Sequence, residues 1–226
     1  MNQDHRLNPG NDHPQENQMT GENEKQASIG WDAITAEFER IYPGQTDPKH
    51  YATLIPWSLG GNDPLQGVSI YDGGDYWHFV SYGLTELNDK ISPNLEVSGF
   101  GYEMTMKLKK ADFADEELEL KNVVGILQTI ARITVRENEL FGPYEFIATG
   151  QEEGMDTEQA SVLTGLITVP DSLARSLDTP NGSVNFLSLI GVSNPELKTL
   201  STHDSVKDLY RKLGTDVTDY KRASLY

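Results

Sequence analysis

His78, beside Trp77 in a run of aromatic and apolar residues, is the side chain best placed by type to act as a general base. An imidazole in that role needs a carboxylate to orient it and a nucleophile within reach. The acids considered for the orienting role are Glu86 and Glu103. Glu103 stands in a strand-like stretch and is itself a candidate general acid. The commoner fate of such a residue is solvation or an ion pair, here with Lys107 or Lys109. The commoner fate of His78 is a partly buried strand histidine that donates one hydrogen bond. His5 and His13 have no Cys or further His at ligand spacing. No catalytic residue, metal site or cofactor is therefore assigned.

Other chemical signatures fail in specific ways. Ser98-Gly99-Phe100-Gly101 begins like a dinucleotide fingerprint, but Met104 occupies the place of the third glycine, and the glycines sit inside a strand pattern. Phosphate-loop, nucleophile-elbow and paired-histidine helix motifs are missing. Asn181-Gly182-Ser183 matches a glycosylation triplet, but without a secretory signal it reads as a turn. The chain contains no Cys, which excludes a disulfide scaffold, a thiolate metal site and a thiol nucleophile. A net charge of −17 argues against a nucleic-acid ligand, whose phosphates demand Lys and Arg. No apolar run approaches the roughly 18 residues of a membrane span. Met1 to Asp4 lack the basic-then-apolar pattern of a signal peptide, so the cytoplasm is the default location.

The elements that would position any site follow from periodicity. Residues 1–27 are almost entirely polar and are expected to form a disordered tail. Residues 28–226 show no composition break and read as one domain. Trp31, Ile34, Phe38 and Ile41 share one helical face, which Pro43-Gly44 ends. Tyr51 to Trp57 is a candidate short strand. Val68 to Tyr71 and Trp77 to Leu84 read as a hairpin across Asp72-Gly73-Gly74-Asp75. From Gly99 to Leu108 the alternation is strict, with Phe100, Tyr102, Met104, Met106 and Leu108 on one face. Residues 117–138 switch to a helical stripe of Leu120, Val123, Val124, Leu127, Ile130, Ala131 and Val135, with Lys121, Gln128, Arg132 and Arg136 opposite. Tyr144 to Ala148, Val162 to Val169 and Val184 to Ile190 are further strands. Asn194 before Pro195 reads as an N-cap, Ser205 with Asp208 as a capping box, and Gly214 as the glycine closing a last helix. Clustered strands between helices predict an α+β fold with a mixed or antiparallel sheet.

Four ordered blocks resemble the suppressor-of-fused domain family. They are Gly61-Asn62-Asp63-Pro64-Leu65 with Val68-Ser69-Ile70-Tyr71; Trp77-His78-Phe79-Val80-Ser81-Tyr82-Gly83-Leu84-Thr85-Glu86-Leu87; Ser98-Gly99-Phe100-Gly101-Tyr102-Glu103-Met104-Thr105-Met106-Lys107-Leu108-Lys109; and Phe186 to Val192 with Glu196-Leu197. The resemblance implies an α+β domain with a mixed sheet packed by helices and no established catalytic activity. It also implies binding of protein or peptide. Animal members restrain zinc-finger transcription factors by gripping a short peptide, partly through strand addition, between this domain and a second one. This chain stops soon after the last block, so that second domain is not expected. Bacterial single-domain relatives include proteins taken to be immunity factors against toxins.

Two binding readings follow. The first is a cytosolic immunity-type protein that neutralises a toxin, with the acidic charge suited to a basic partner. Its expected contacts are Asp72, Asp75, Tyr76, Trp77, Tyr82, Glu86 and Asp89, the acids and aromatics around the hairpin. The second is a regulatory adaptor that adds an extended peptide to a sheet edge. An enzyme built on His78 with Glu86 or Glu103 is the third and least favoured reading. Partner identity, binding face and oligomeric state are not legible.

Overall fold

The computed structural model describes residues 28–226; the polar segment 1–27, with His5 and His13, lies outside the described residues. The chain runs α1 (Ile29–Ile41), β1 (Lys49–Ala52), β2 (Gly67–Asp72), β3 (Tyr76–Tyr82), β4 (Val97–Lys109), α2 (Glu116–Glu137), β5 (Phe146–Ile147), β6 (Leu163–Pro170), β7 (Leu177–Thr179), β8 (Gly182–Ser193), α3 (Asn194–Leu197), α4 (His203–Leu213) and β9 (Val217–Thr218). The strands form one sheet in the order β1-β2-β3-β4-β8-β6-β5, with β7 added to β8 and β9 to β4. Neighbours are antiparallel except β4 with β8 and β4 with β9, which are parallel. The sheet is thus mixed and the fold α+β.

Both faces of this sheet are covered. On one, Met104, Met106 and Leu108 of β4 pack with Val68, Ile70 and Phe79 against Leu120, Val123 and Leu127 of α2. Each such aliphatic contributes roughly 1.5–3 kcal/mol of burial before entropy is subtracted. On the other, Ile34 and Phe38 of α1 meet Tyr71, Val80, Tyr82 and Phe186. Beside them, Val206 and Leu209 of α4 cover Ile167, Val169, Ile190 and Val192. The strip of sheet between α1 and α4 is where the polar side of β4 lies.

Several local expectations shift. The strand expected over Tyr51 to Trp57 stops at Ala52, and Trp57–Leu59 forms a single 3-10 turn closed by Gly60 in the left-handed region. Gln128, expected on the wet side of α2, is buried, and its amide brackets the backbone N–H and C=O of Leu65. The α3 cap is Ser193 rather than Asn194, and Glu196 completes its capping box. The α4 box pairs Thr202 with Ser205 rather than Ser205 with Asp208. Gly214 ends α4 at φ 70°, as its position suggested.

Glu196 also anchors the end of the chain. Its carboxylate is fully buried and accepts from Ser193 N–H, Leu225 N–H and the Arg222 guanidinium. Glu196→Ala should cost about 2–4 kcal/mol, because the cap and a charge pair are lost together. Limited proteolysis should then clip the variant near Arg222 well before the wild type; equal clipping rates would refute the anchoring role.

Candidate functional site

Alternation along β4 sends Glu103, Thr105 and Lys107 to the face opposite Met104 and Met106, and this is not a wet face. Glu103 and Thr105 are fully buried and Lys107 is 1% exposed, enclosed among the 83–85 strap and the segments that carry Asp171 and Asp216. The expectation of a solvated or Lys-paired Glu103 is therefore corrected. Its carboxylate accepts from Ser81 Oγ, Gly83 N–H, Thr85 N–H and Thr85 Oγ1. Gly83 reaches that carboxylate through φ 138°, and a Cβ there would strike the backbone of Leu65 and Gln66. Burial holds the Glu103 carboxyl above its usual range, although the four donors pull it down. Lys109 pairs instead with Asp219.

Lys107 is held by Asp216 at 2.5 Å and Asp171 at 3.0 Å. Asp171 Oδ2 also accepts from Thr105 Oγ1 (2.7 Å) and His78 Nε2 (3.0 Å), while Oδ1 takes the N–H groups of Leu173 and Ala174. An ionised carboxylate only accepts, so His78 carries its proton on Nε2 and its Nδ1 takes the Tyr42 hydroxyl at 2.8 Å. The Tyr42 hydroxyl in turn meets that of Tyr76 at 3.3 Å. Burial drives the His78 pKa below its ordinary 6.5 despite the Asp171 charge. Burial opposes ionisation of Asp171 too, but the His78 hydrogen bond and the Lys107 charge hold its carboxyl well below 3.8.

The orienting acid of His78 is thus Asp171, and neither Glu86 nor Glu103 bonds to it. The imidazole is fully buried and boxed by the rings of Phe38, Tyr42 and Tyr76. This cluster pins α1, β3, β4 and the segment after β6 to one another. Sequence reasoning missed Asp171, Asp216 and Tyr42. The one local signal was the polar run Glu103, Thr105, Lys107 within a strand too apolar to lie on the surface. Among the described residues, no group of three or more His, Cys, Asp or Glu is arranged to hold a metal ion.

The residues expected to meet a partner fall into two groups. Asp72 and Asp75 are exposed on the hairpin. Lys110 pairs with Asp72 at 2.5 Å, its N–H donates to the Asp75 carbonyl, and its ammonium lies 4.0 Å from the Trp77 ring centre. Trp77 is half-buried and donates its indole N–H to Glu116; Tyr76 is half-buried against Tyr42. Tyr82, Glu86 and Asp89 lie at or beyond the other end of β3, whose seven residues span about 20 Å. Tyr82 is 1% exposed and stacks on Trp31. Glu86 is turned inward, taking the N–H groups of Ile91, Ser92 and Gly99 and the Lys90 ammonium. Burial resists this charge, but those donors bring its pKa down to about 2. Asp89 is exposed.

Among the described residues, the two ends of the sheet are also accessible. β5 closes one end and carries Phe146, 41% exposed, beside Leu140 at 55%. Two grooves of about 580 and 540 Å³ share Phe141 and Glu145 there. β1 closes the other end.

A covered mixed sheet with an enclosed ionic cluster and two edge strands defines an α+β domain whose unpaired strand edges lie at its rims. The family model described as Suppressor of fused protein (SUFU) matches residues 61–223, and the chain belongs to that family. The Suppressor of fused homologs of Homo sapiens and Mus musculus are each 28% identical to it over 181 residues, covering 74% of this chain and 36% of theirs. The chain thus spans about a third of the length of the curated relatives it matches. The chain in the Sufu-Fu complex crystal structure superposes with TM-score 0.75 at 27% identity, over 87% of this chain and 92% of that one. Drosophila Suppressor of Fused gives 0.74 at 27%, over 87% of this chain and 51% of that one. A putative SUFU homolog from Neisseria gonorrhoeae shares the fold at TM-score 0.58 and 15% identity, over 86% and 96%.

Proposed function

We propose that this chain is a non-catalytic protein-binding domain that captures an extended segment of a partner at the β5 edge. The observation that carries this reading is the unpaired outer side of β5 with Phe146 and Leu140 exposed beside the two grooves. A short edge strand supplies backbone hydrogen bonds, and the adjoining grooves select alternate side chains of the added strand. A relative of like fold was crystallised in complex with Fu, which supports a protein partner. The enclosure of His78 and Asp171 supports a structural role for them rather than a catalytic one. No described helix is long and apolar enough to cross a membrane. A cytoplasmic setting is part of the proposal.

The test is enrichment of random displayed peptides on the immobilised chain. Retained peptides should share alternating apolar residues and stay bound as salt rises, since backbone pairing is less screened than surface charge. Phe141→Ser with Phe146→Asp should abolish retention; unchanged retention in that variant would sink the proposal.

The immunity-type reading is favoured by a separate observation, the net charge of −17 with Asp72, Asp75 and Asp89 exposed. It places Tyr76, Trp77, Tyr82 and Glu86 as supports of that acidic surface, facing a basic toxin. Charge reversal at Asp72, Asp75 and Asp89 should then slow association with a cognate toxin about ten-fold at low salt. Co-expression with the product of an adjacent toxin gene decides it: protection of the host cell is expected, and a failure to protect or to form a complex counts against it.

A further inference from the structure

The opposite end of the sheet carries a surface of different chemistry. Leu54 is 98% exposed, Leu59 76%, Ile55 58% and Trp57 37%, all within the segment that follows β1. Large apolar side chains gathered in this way on a soluble surface mark a place of contact. A groove of about 560 Å³ separates this segment from α2 and is lined by Tyr51, Thr53, Leu54, Lys121, Val124 and Arg132, among others.

The backbone beside it is also open. Thr53 N–H donates to Gln66 C=O, and β1 pairs antiparallel with β2 in the register Tyr51 to Val68 and Lys49 to Ile70. Alternation of antiparallel pairing then turns the N–H and C=O of His50 and Ala52 away from β2, toward the unpaired edge. Both residues are exposed. Edge strands are ordinarily protected by charge, proline or a covering loop. Here Pro48 and Lys49 stand only at the start of β1, and the loop after it adds apolar area.

Charge identifies the occupant. The surface of the chain is strongly acidic, yet this rim carries Lys49, Lys121 and Arg136, besides Arg132, whose guanidinium is taken by Asp63 at 2.6 Å. Lys49 and Lys121 share Glu117 at 3.5 Å each, long contacts that leave both ammonium groups able to meet a further carboxylate. Arg136 lies over the ring of Trp57, within the exposed apolar segment, at 5.4 Å. We propose that the β1 edge, the 54–59 loop and the cationic rim of α2 form a docking surface for an extended protein segment that combines large apolar side chains with carboxylates. Such a segment would be repelled by the acidic remainder of the molecule and accepted here, with its backbone paired to His50 and Ala52 and its acids toward Lys121 and Arg136. A second copy of this chain is disfavoured as occupant by its own net charge of −17.

The surface lies across the whole sheet from β5, so the two readings fail separately. The probe is a short fluorescent peptide alternating Leu with Glu, titrated with the full chain and followed by anisotropy. Saturable binding is expected, with none for the peptide alternating Leu with Lys. Ala52→Pro removes an N–H that the fold does not use and should weaken binding at least ten-fold. Leu54→Asp with Leu59→Asp should do the same, and Lys121→Glu with Arg136→Glu should weaken it about three- to ten-fold. All these positions are at the surface, and circular dichroism melts should match the wild type; Phe141→Ser with Phe146→Asp should bind the probe normally. Absence of saturable binding, or wild-type affinity in the Ala52→Pro and double-Asp variants, overturns the proposal. So does concentration-dependent dimerisation that the double-Asp variant abolishes, because the occupant would then be a second copy.

Discussion

Asp171→Ala should destabilise the fold by about 3–5 kcal/mol, because five donors in a dry site lose their common acceptor and a buried ion pair is broken. The carboxylate side chain is fully enclosed and accepts five hydrogen bonds, from His78, Thr105, Lys107, Leu173 and Ala174. In its absence Lys107 keeps only Asp216 as an ion-pair partner. A chain of this size should lose about 6–20 °C of Tm. Urea melts measure the loss, and the double variant Asp171→Ala, Thr105→Val supplies the control, since removing a hydroxyl left without its acceptor should restore part of it. A single-variant cost below about 1 kcal/mol would show that these donors do not depend on Asp171. If the single variant does not fold, recovery of folded protein in the double variant carries the same conclusion.

The same cluster sets a pH dependence. His78 has a folded pKa below 6.5, so its contribution is present above that value and is lost as pH falls through it, when the unfolded chain takes up a proton that the buried ring refuses. Asp171 is also depressed, so its contribution is lost further down, as pH falls below about 3.8. Both slopes run toward acid denaturation. Stability measured from pH 8 to 5 should therefore drop in the wild type and drop less in His78→Gln; parallel curves would remove His78 from the account.

Glu103→Ala should cost about 3 kcal/mol or more, because the N–H groups of Gly83 and Thr85 and the hydroxyls of Ser81 and Thr85 lose their acceptor in a dry site. Glu103→Gln keeps one acceptor oxygen and should cost less. The sign of its pH dependence is opposite to that of His78. Burial raises the Glu103 carboxyl, so its contribution is complete below about 4.5 and declines as pH rises through the folded value. The deficit of the Gln variant should accordingly narrow from pH 4.5 upward. Equal stability of the Ala and Gln variants at all pH values would show that the 83–85 strap does not depend on this acceptor.

Much of the fold was legible because its signals are local. The ten-residue alternation around Met104 and the stripe from Leu120 to Ala131 each report a repeat of one element, and the structure places β4 and α2 there. The short pieces were not legible. β7 and β9 have three and two residues, and they exist because β8 and β4 offer hydrogen-bonding edges to them. The exposed loop from Leu54 to Leu59 was mistaken in part for strand, since four apolar residues in six satisfy a burial pattern without being buried.

The candidate sites divide along the same line. Residue types alone bounded the chemistry: no thiol, no phosphate loop, a strongly acidic surface and four blocks of a recognisable family. They also picked out His78 and Glu103 as unusual. Which acid serves His78, and whether Glu103 meets water, depended on a second helical layer and on Asp171, 93 residues further along the chain. Periodicity tells which side chains share a face but not what covers that face. Only folding, by bringing the 83–85 strap and the segments of Asp171 and Asp216 onto the polar side of β4, decided that Glu103 and Lys107 would be enclosed and what each would bond.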